Sequence, residues 1–169
     1  HEEFPGTNGR TFYYVHYMDP HAPYNERAPW FEPSDNPLQR MKNAYDSEIR
    51  HTDEHIRELF ELYNWKENSL IVVVADHGEE FNDHGGYGHG KTLYTEVIRV
   101  PFFIYHRNIP ARRISERVHL TDILPTLVAL INQPESSTWE GRNLIPLMEG
   151  GTLGKRPLFS ELLRRPEHG

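Results

Sequence analysis

The chain contains no cysteine, which excludes disulfides and thiolate metal sites and leaves the redox compartment open. It has no apolar run approaching the roughly 20 residues of a membrane-spanning helix. Its opening, HEEFPGTNGR, carries no apolar segment of the kind a secretory signal needs. Basic charge is scarce: 18 Lys and Arg against 25 Asp and Glu give a formal net charge of -7. That balance argues against a nucleic acid as the main partner. It leaves room for an anionic substrate, because a bound metal inverts the sign of a local field. Internal repeats, low-complexity segments and any marked domain boundary are also missing. What is present is 169 residues, enough for one domain, with the hydrophobic and charged fractions of an ordinary globular protein and 11 histidines. The histidines cluster, so their positions require an explanation.

Residues 12–18 (FYYVHYM) are aromatic and β-branched, the chemistry of a strand. Pro20 and Pro23 forbid continuing its ladder, so a loop is expected there. From Leu38 the apolar residues Leu38, Met41, Tyr45, Ile49, Ile56, Leu59, Phe60 and Tyr63 recur at three- and four-residue steps. This predicts a long helix ending near Asn64, with Asn36 as its cap and Pro37 in its first turn. Residues 70–75 (LIVVVA) show no alternation, which suits a central strand covered on both faces, and with the helix suggests a βαβ unit starting at Phe12. A glycine-rich loop, 78–91, follows. After it come a short helical turn at 92–98, a buried strand at 100–105 (VPFFIY), a helix from Asp122 to Asn132, an apolar patch at 144–148 and a last strand at 158–162.

Chemistry concentrates where the 70–75 strand stops, in DHGEEFNDHGGYGHGK. Asp76 and His77 pair a carboxylate with an imidazole, a set that suits Ca²⁺, Mg²⁺, Mn²⁺ or Zn²⁺. They stand at the carboxyl end of a strand, where open α/β sheets place their ligands. The competing structural reading has Asp76 capping a turn and His77 packed beneath a loop. Glycines let His84 and His89 fold back towards Asp76, or leave both on a solvated loop. His21 lies in the loop after the first strand, whereas His16, mid-strand, reads as structural. Glu79 and Glu80 extend the acidic character, Lys91 could neutralise an anion, and Arg99, beside a buried strand, reads as a structural ion-pair partner.

These segments together resemble the sulfatase family of the alkaline-phosphatase-like superfamily. FYYVHYMDPHAPY is similar to the family's hydrophobic strand followed by D-P-H-x-P-Y, and AYDSEIRHTDEHIRELFELY to its Tyr…Asp…Ile…Leu helix. NSLIVVVADHGEEF resembles the strand leading into D-H-G-E, and HGGYGHGKTLYTEVIRVPFFIY the H-G…H-G…R-V-P segment. HLTDILPTLVALI and WEGRNLIPLMEG resemble the D-I-x-P-T-L-L helix and the segment after it. All six occur in family order.

The resemblance implies an α/β fold, a mixed, largely parallel sheet flanked by helices and incomplete at the N-terminal side. It is read as one partial domain, with residues 12–132 as core and 133–169 as a tail or the start of a subdomain. It implies that Asp76 and His77 hold a divalent metal, Ca²⁺ first, with Mg²⁺, Mn²⁺ or Zn²⁺ as alternatives. It implies that His21, His89 and Lys91 bind the sulfuryl group, and that His89 and Lys91 take part in catalysis. The family's C/S-x-P-x-R motif, whose cysteine or serine becomes the formylglycine nucleophile, has no counterpart here. The expectation is therefore a catalytic-domain fragment, inactive alone, that supplies the metal- and sulfate-binding side of a sulfuric-ester hydrolase. Its substrate would be a sulfated or phosphorylated small molecule or glycan, and exposed sheet edges would favour self-association. A phosphoester or phosphonate hydrolase or phospho-group transferase of the same superfamily is one alternative. A non-catalytic metal-binding or interaction fragment is another. Localisation stays open, with periplasmic, extracellular or membrane-attached settings compatible with the family.

Overall fold

Asn36 sets the start of the first helix. Its side-chain oxygen accepts from the Gln39 N–H at 3.0 Å and its carbonyl from the Arg40 N–H at 2.9 Å, satisfying donors that a helix start leaves free. Helix α1 then runs Pro37–Leu62, as the periodicity predicts. The structure, a computed structural model, describes residues 11–163 and divides them into two compact units, 11–58 and 59–163.

In the first unit the most buried stripe of α1 is Ala44, Ser47 and Glu48, whereas Ile49, on the apolar face read from sequence, is 43% exposed. The reason is the proline-rich segment packed there, whose backbone needs polar partners. Glu48 Oε1 accepts from the Asn25 backbone N–H at 2.8 Å and from the Asn25 side chain at 2.9 Å. Ser47 Oγ accepts from the Arg27 N–H at 3.0 Å, and Arg27 pairs with Asp19 at 2.6 Å. Residues 12–18 form no strand: Phe12, Tyr14, Val15 and Met18 are exposed, and no described strand pairs with them. β-favouring side chains do not make a strand without a ladder to join.

The second unit opens with a turn of helix, α2 (Trp65–Asn68), leading to β1 (Ile71–Val74). The strand is found where expected, but its neighbour is not. Strand β1 pairs antiparallel with β4 (Phe102–Tyr105), Ile71 opposite Tyr105 and Val74 opposite Phe102. It is half-buried rather than covered on both faces. Between them lie a hairpin, β2 (Glu80–Phe81) with β3 (Tyr87–Gly88), and the one-turn helix α3 (Thr95–Ile98). The described strands thus form two two-stranded antiparallel sheets, not a largely parallel one and not a βαβ unit. An all-apolar run fixes neither burial nor pairing: Val74 and, in the expected buried strand at 100–105, Phe103 are exposed, and parallel or antiparallel pairing depends on chain elsewhere. The expected strand at 158–162 is irregular. No described helix is long and apolar enough to cross a membrane.

A 3-10 turn, Leu120–Asp122, runs into α4 (Ile123–Leu130), and α5 (Ile145–Met148) follows. Asp122, 1% exposed, organises this corner. Its carboxylate accepts from the backbone N–H groups of His119 and Arg142, each at 2.8 Å, and ion-pairs with Arg156. The Thr126 hydroxyl donates to the Asp122 carbonyl at 2.6 Å and accepts from the Leu144 N–H at 3.0 Å.

Removing Asp122 strands two half-buried N–H groups and a guanidinium. Asp122→Ala should cost about 3–5 kcal/mol in urea unfolding, and Thr126→Val about 1–3 kcal/mol. A loss below about 1 kcal/mol for Asp122→Ala would show that this network does not hold the corner.

Candidate metal centre

Strand β1 ends in Ala75, Asp76, His77 and Gly78, and the backbone beyond it is clamped to α3. The Gly78 N–H donates to the Val97 carbonyl at 2.7 Å and the Glu79 N–H to the Glu96 carbonyl at 3.1 Å. The two backbones approach so closely that a Cβ on Gly78 would collide with the Glu96 carbonyl oxygen. Glycine is thus required there by space.

This clamp sets the two residues before it. Asp76 is exposed, and its Oδ1 accepts from the His77 backbone N–H at 2.9 Å. His77 Nδ1 lies 2.9 Å from the Gly78 carbonyl oxygen. A carbonyl only accepts, so Nδ1 carries the proton, and in the neutral ring Nε2 presents a lone pair. That lone pair stands 3.7 Å from Asp76 Oδ2. With the ring neutral, two electron-pair donors face one another, an arrangement that suits a cation. Adjacent ligands on an ion at about 2.0–2.6 Å stand about 2.8–3.7 Å apart, so the pair fits a divalent metal. Its mixed carboxylate–imidazole character is compatible with several such ions.

The glycine-rich segment is a built hairpin rather than an open loop. Glu80, 2% exposed, closes it: Oε1 accepts from the Gly86 N–H at 2.9 Å and the His84 N–H at 3.3 Å, and Oε2 from the Thr92 hydroxyl at 3.1 Å. Glu80 is paired with Gly88 and Phe81 with Tyr87. Continuing this register by one residue puts Glu79 opposite His89, and His89 Nδ1 meets Glu79 Oε1 at 3.0 Å. The Glu79 side chain is 4% exposed. A buried carboxylate accepting from Nδ1–H fixes the ring and turns Nε2 outward. The His89 ring stacks on His77 with centroids 3.8 Å apart and planes 27° apart.

The structure therefore brings Asp76, His77 and His89 together, with Glu79 behind His89. Lys91 is exposed and donates to the Tyr87 carbonyl at 3.3 Å. His21, in the first unit, is exposed and hydrogen-bonds the Ala22 carbonyl at 2.7 Å. His84 turns elsewhere: it stacks on Tyr94 and meets Glu96 at 2.5 Å. Arg99 is exposed and makes no ion pair among the described residues, against expectation. Glu80, His84 and Glu96 form a second group whose donor atoms lie within 4.8 Å of one another. The Glu80 oxygens there already serve the hairpin, and 2.5 Å between His84 and Glu96 is a hydrogen-bond separation rather than that of two ligands. The roles of Glu79 and Glu80 escaped the sequence reading. One signal was available: in extended backbone His77 and Glu79 project to the same side.

The chain as a whole is similar to known proteins. The fold matches that of a phosphonate monoester hydrolase from Silicibacter pomeroyi, with a TM-score of 0.60 and 24% identity, over 76% of this chain and 26% of that one. The sulfatase family model matches residues 4–133, and the chain belongs to the sulfatase family. It is 37% identical over 122 residues to an arylsulfatase of Clostridium perfringens, covering 66% of this chain and 25% of that protein. It is 23% identical over 133 residues to an ulvan-active sulfatase of Formosa agariphila, covering 76% and 24%. The chain spans about a quarter of the length of these relatives.

The two glycines flanking the centre make opposite demands. Gly78→Ala forces the DHG backbone off α3 and should cost about 1–3 kcal/mol or more in urea unfolding. At Gly90 φ is +74° but an added Cβ meets nothing within 4 Å, so Gly90→Ala should cost only about 1–2 kcal/mol from backbone strain. Gly78→Ala no more costly than Gly90→Ala would contradict the clamp.

Proposed function

We propose that this chain supplies the metal-binding and anion-binding side of a sulfuric-ester hydrolase active site. The observation that supports this most is the facing pair of lone-pair donors, Asp76 Oδ2 and His77 Nε2 at 3.7 Å, with His89 stacked beside them. Asp76 and His77 would hold a divalent metal, Ca²⁺ first, with Mg²⁺, Mn²⁺ or Zn²⁺ as alternatives. Bound there, the ion supplies Lewis-acid neutralisation of the ester's non-bridging oxygens. His89, oriented by Glu79, directs Nε2 outward, and in its imidazolium form, whose Nδ1–H stays on Glu79, it would give the Nε2 proton to the leaving alcohol. Lys91 and His21 contribute donors to the anionic oxygens, and Lys91 and His89 act in catalysis; for Lys91 and His21 the support is their place in the family motifs.

The nucleophile is not among these residues. The chain has no cysteine and no Ser-x-Pro-x-Arg, so formylglycine does not fit any position here and would belong to another part of the enzyme. Residues 12–132 are read as catalytic core and 133–169 as the start of a subdomain. Among the described residues β1 and β4 pair only with each other. Their outer edges are where further strands, including those of a largely parallel sheet, or a second copy would add. The substrate is a sulfated small molecule or glycan. A phosphoester or phosphonate substrate is the second reading, favoured by the match to a phosphonate monoester hydrolase. Cysteine or serine before x-Pro-x-Arg in the remainder of the enzyme separates the first reading from the second, which expects a threonine without that motif.

The 169-residue chain should bind one Ca²⁺ by calorimetry, at least about tenfold more weakly after Asp76→Ala, and turn over a chromogenic aryl sulfate no faster than buffer. Absence of binding to Ca²⁺, Mn²⁺ and Zn²⁺ alike would overturn the metal assignment. Turnover that Asp76→Ala abolishes would overturn the division of labour.

A further inference from the structure

Midway along α1 two histidines stand one turn apart. His51 and His55 are four residues apart in a continuous helix, a spacing that puts side chains on one face within reach of each other. Their Nε2 atoms are 3.2 Å apart, and their ring centroids are 4.4 Å apart. Donors on a tetrahedral zinc at about 2.0–2.1 Å are about 3.3 Å apart, and donors at right angles about 2.9 Å. The observed separation lies between the two.

The surroundings fix which nitrogen is free. His55 Nδ1 lies 3.1 Å from the Glu58 carboxylate. The carboxylate accepts, so Nδ1 holds the proton, and in the neutral ring His55 Nε2 carries the lone pair. A carboxylate behind the distal nitrogen of a histidine is the arrangement that orients metal-binding imidazoles and raises their basicity. His51 then supplies the proton between the two Nε2 atoms. Moving that proton to its own Nδ1 replaces an N–H···N bond by two lone pairs, with no proton lost from the neutral rings. The indole of Trp30 flanks His51 at 5.8 Å between centroids. His55 is 47% exposed, so an ion reaches the pair from solvent.

We propose that His51 and His55 form a two-imidazole site for a borderline divalent ion of the zinc, nickel or copper type. Hard ions such as Ca²⁺ and Mg²⁺, which take oxygen ligands, are excluded by the donor set. The site leaves the ion's remaining positions open to water or to a further donor. It uses none of the residues assigned to ester hydrolysis and does not depend on that reading.

The test is Zn²⁺ titration of the untagged 169-residue chain by calorimetry, with helicity checked by circular dichroism. A chelate needs both rings. His51→Gln and His55→Gln should each remove one equivalent of Zn²⁺, and the double variant should remove no more. Glu58→Gln should keep the stoichiometry and weaken that equivalent about tenfold. Unchanged Zn²⁺ stoichiometry in the double variant, or losses in the single variants that simply add, would overturn the proposal.

Discussion

Glu80 cannot reach water, so every hydrogen bond its carboxylate needs must come from the chain. The His84 and Gly86 N–H groups and the Thr92 hydroxyl supply them. This converts a glycine-rich segment, which by composition would be mobile, into a hairpin of fixed register. That register sets Glu79 against His89 and stacks His89 on His77. The same device recurs in Glu48, which gathers the Asn25 segment onto α1, and in Asp122, which ties the start of α4 to Arg142 and Arg156. Buried carboxylates fed by backbone donors, more than apolar packing, determine where the loops of each unit lie.

The proposed site inherits its geometry from that constraint. Asp76 and His77 are delivered by a strand that stops, held by a glycine that lets its backbone reach α3, and completed by a histidine that the hairpin returns. The contact of His77 with the Gly78 carbonyl holds the proton on Nδ1. In the neutral ring this leaves the Nε2 lone pair facing Asp76.

Much of this was legible in the sequence. The three- and four-residue spacing located α1, and the unbroken apolar runs located β1 and β4, because local periodicity and propensity suffice for those elements. Pairing direction was not legible: Ile71–Val74 reads alike in a parallel or an antiparallel sheet. Residues 12–18 have strand chemistry without a described partner, and propensity does not create one. Burial of Glu48, Glu79, Glu80 and Asp122 was hidden because acidic residues are ordinarily solvated; only three-dimensional convergence of N–H donors reverses that. Asp76 and His77 were read as a pair from sequence and His84 and His89 as equal candidates to join them; that His89 is the one set beside His77, and that Glu79 aims it, was not legible.

The most direct test of the central claim is an anomalous-scattering map from crystals of the chain grown with Mn²⁺. The prediction is a peak bonded to both Asp76 Oδ2 and His77 Nε2, with His89 still on Glu79. A peak bonded instead to Glu80, His84 and Glu96, with none at Asp76 and His77, would contradict it.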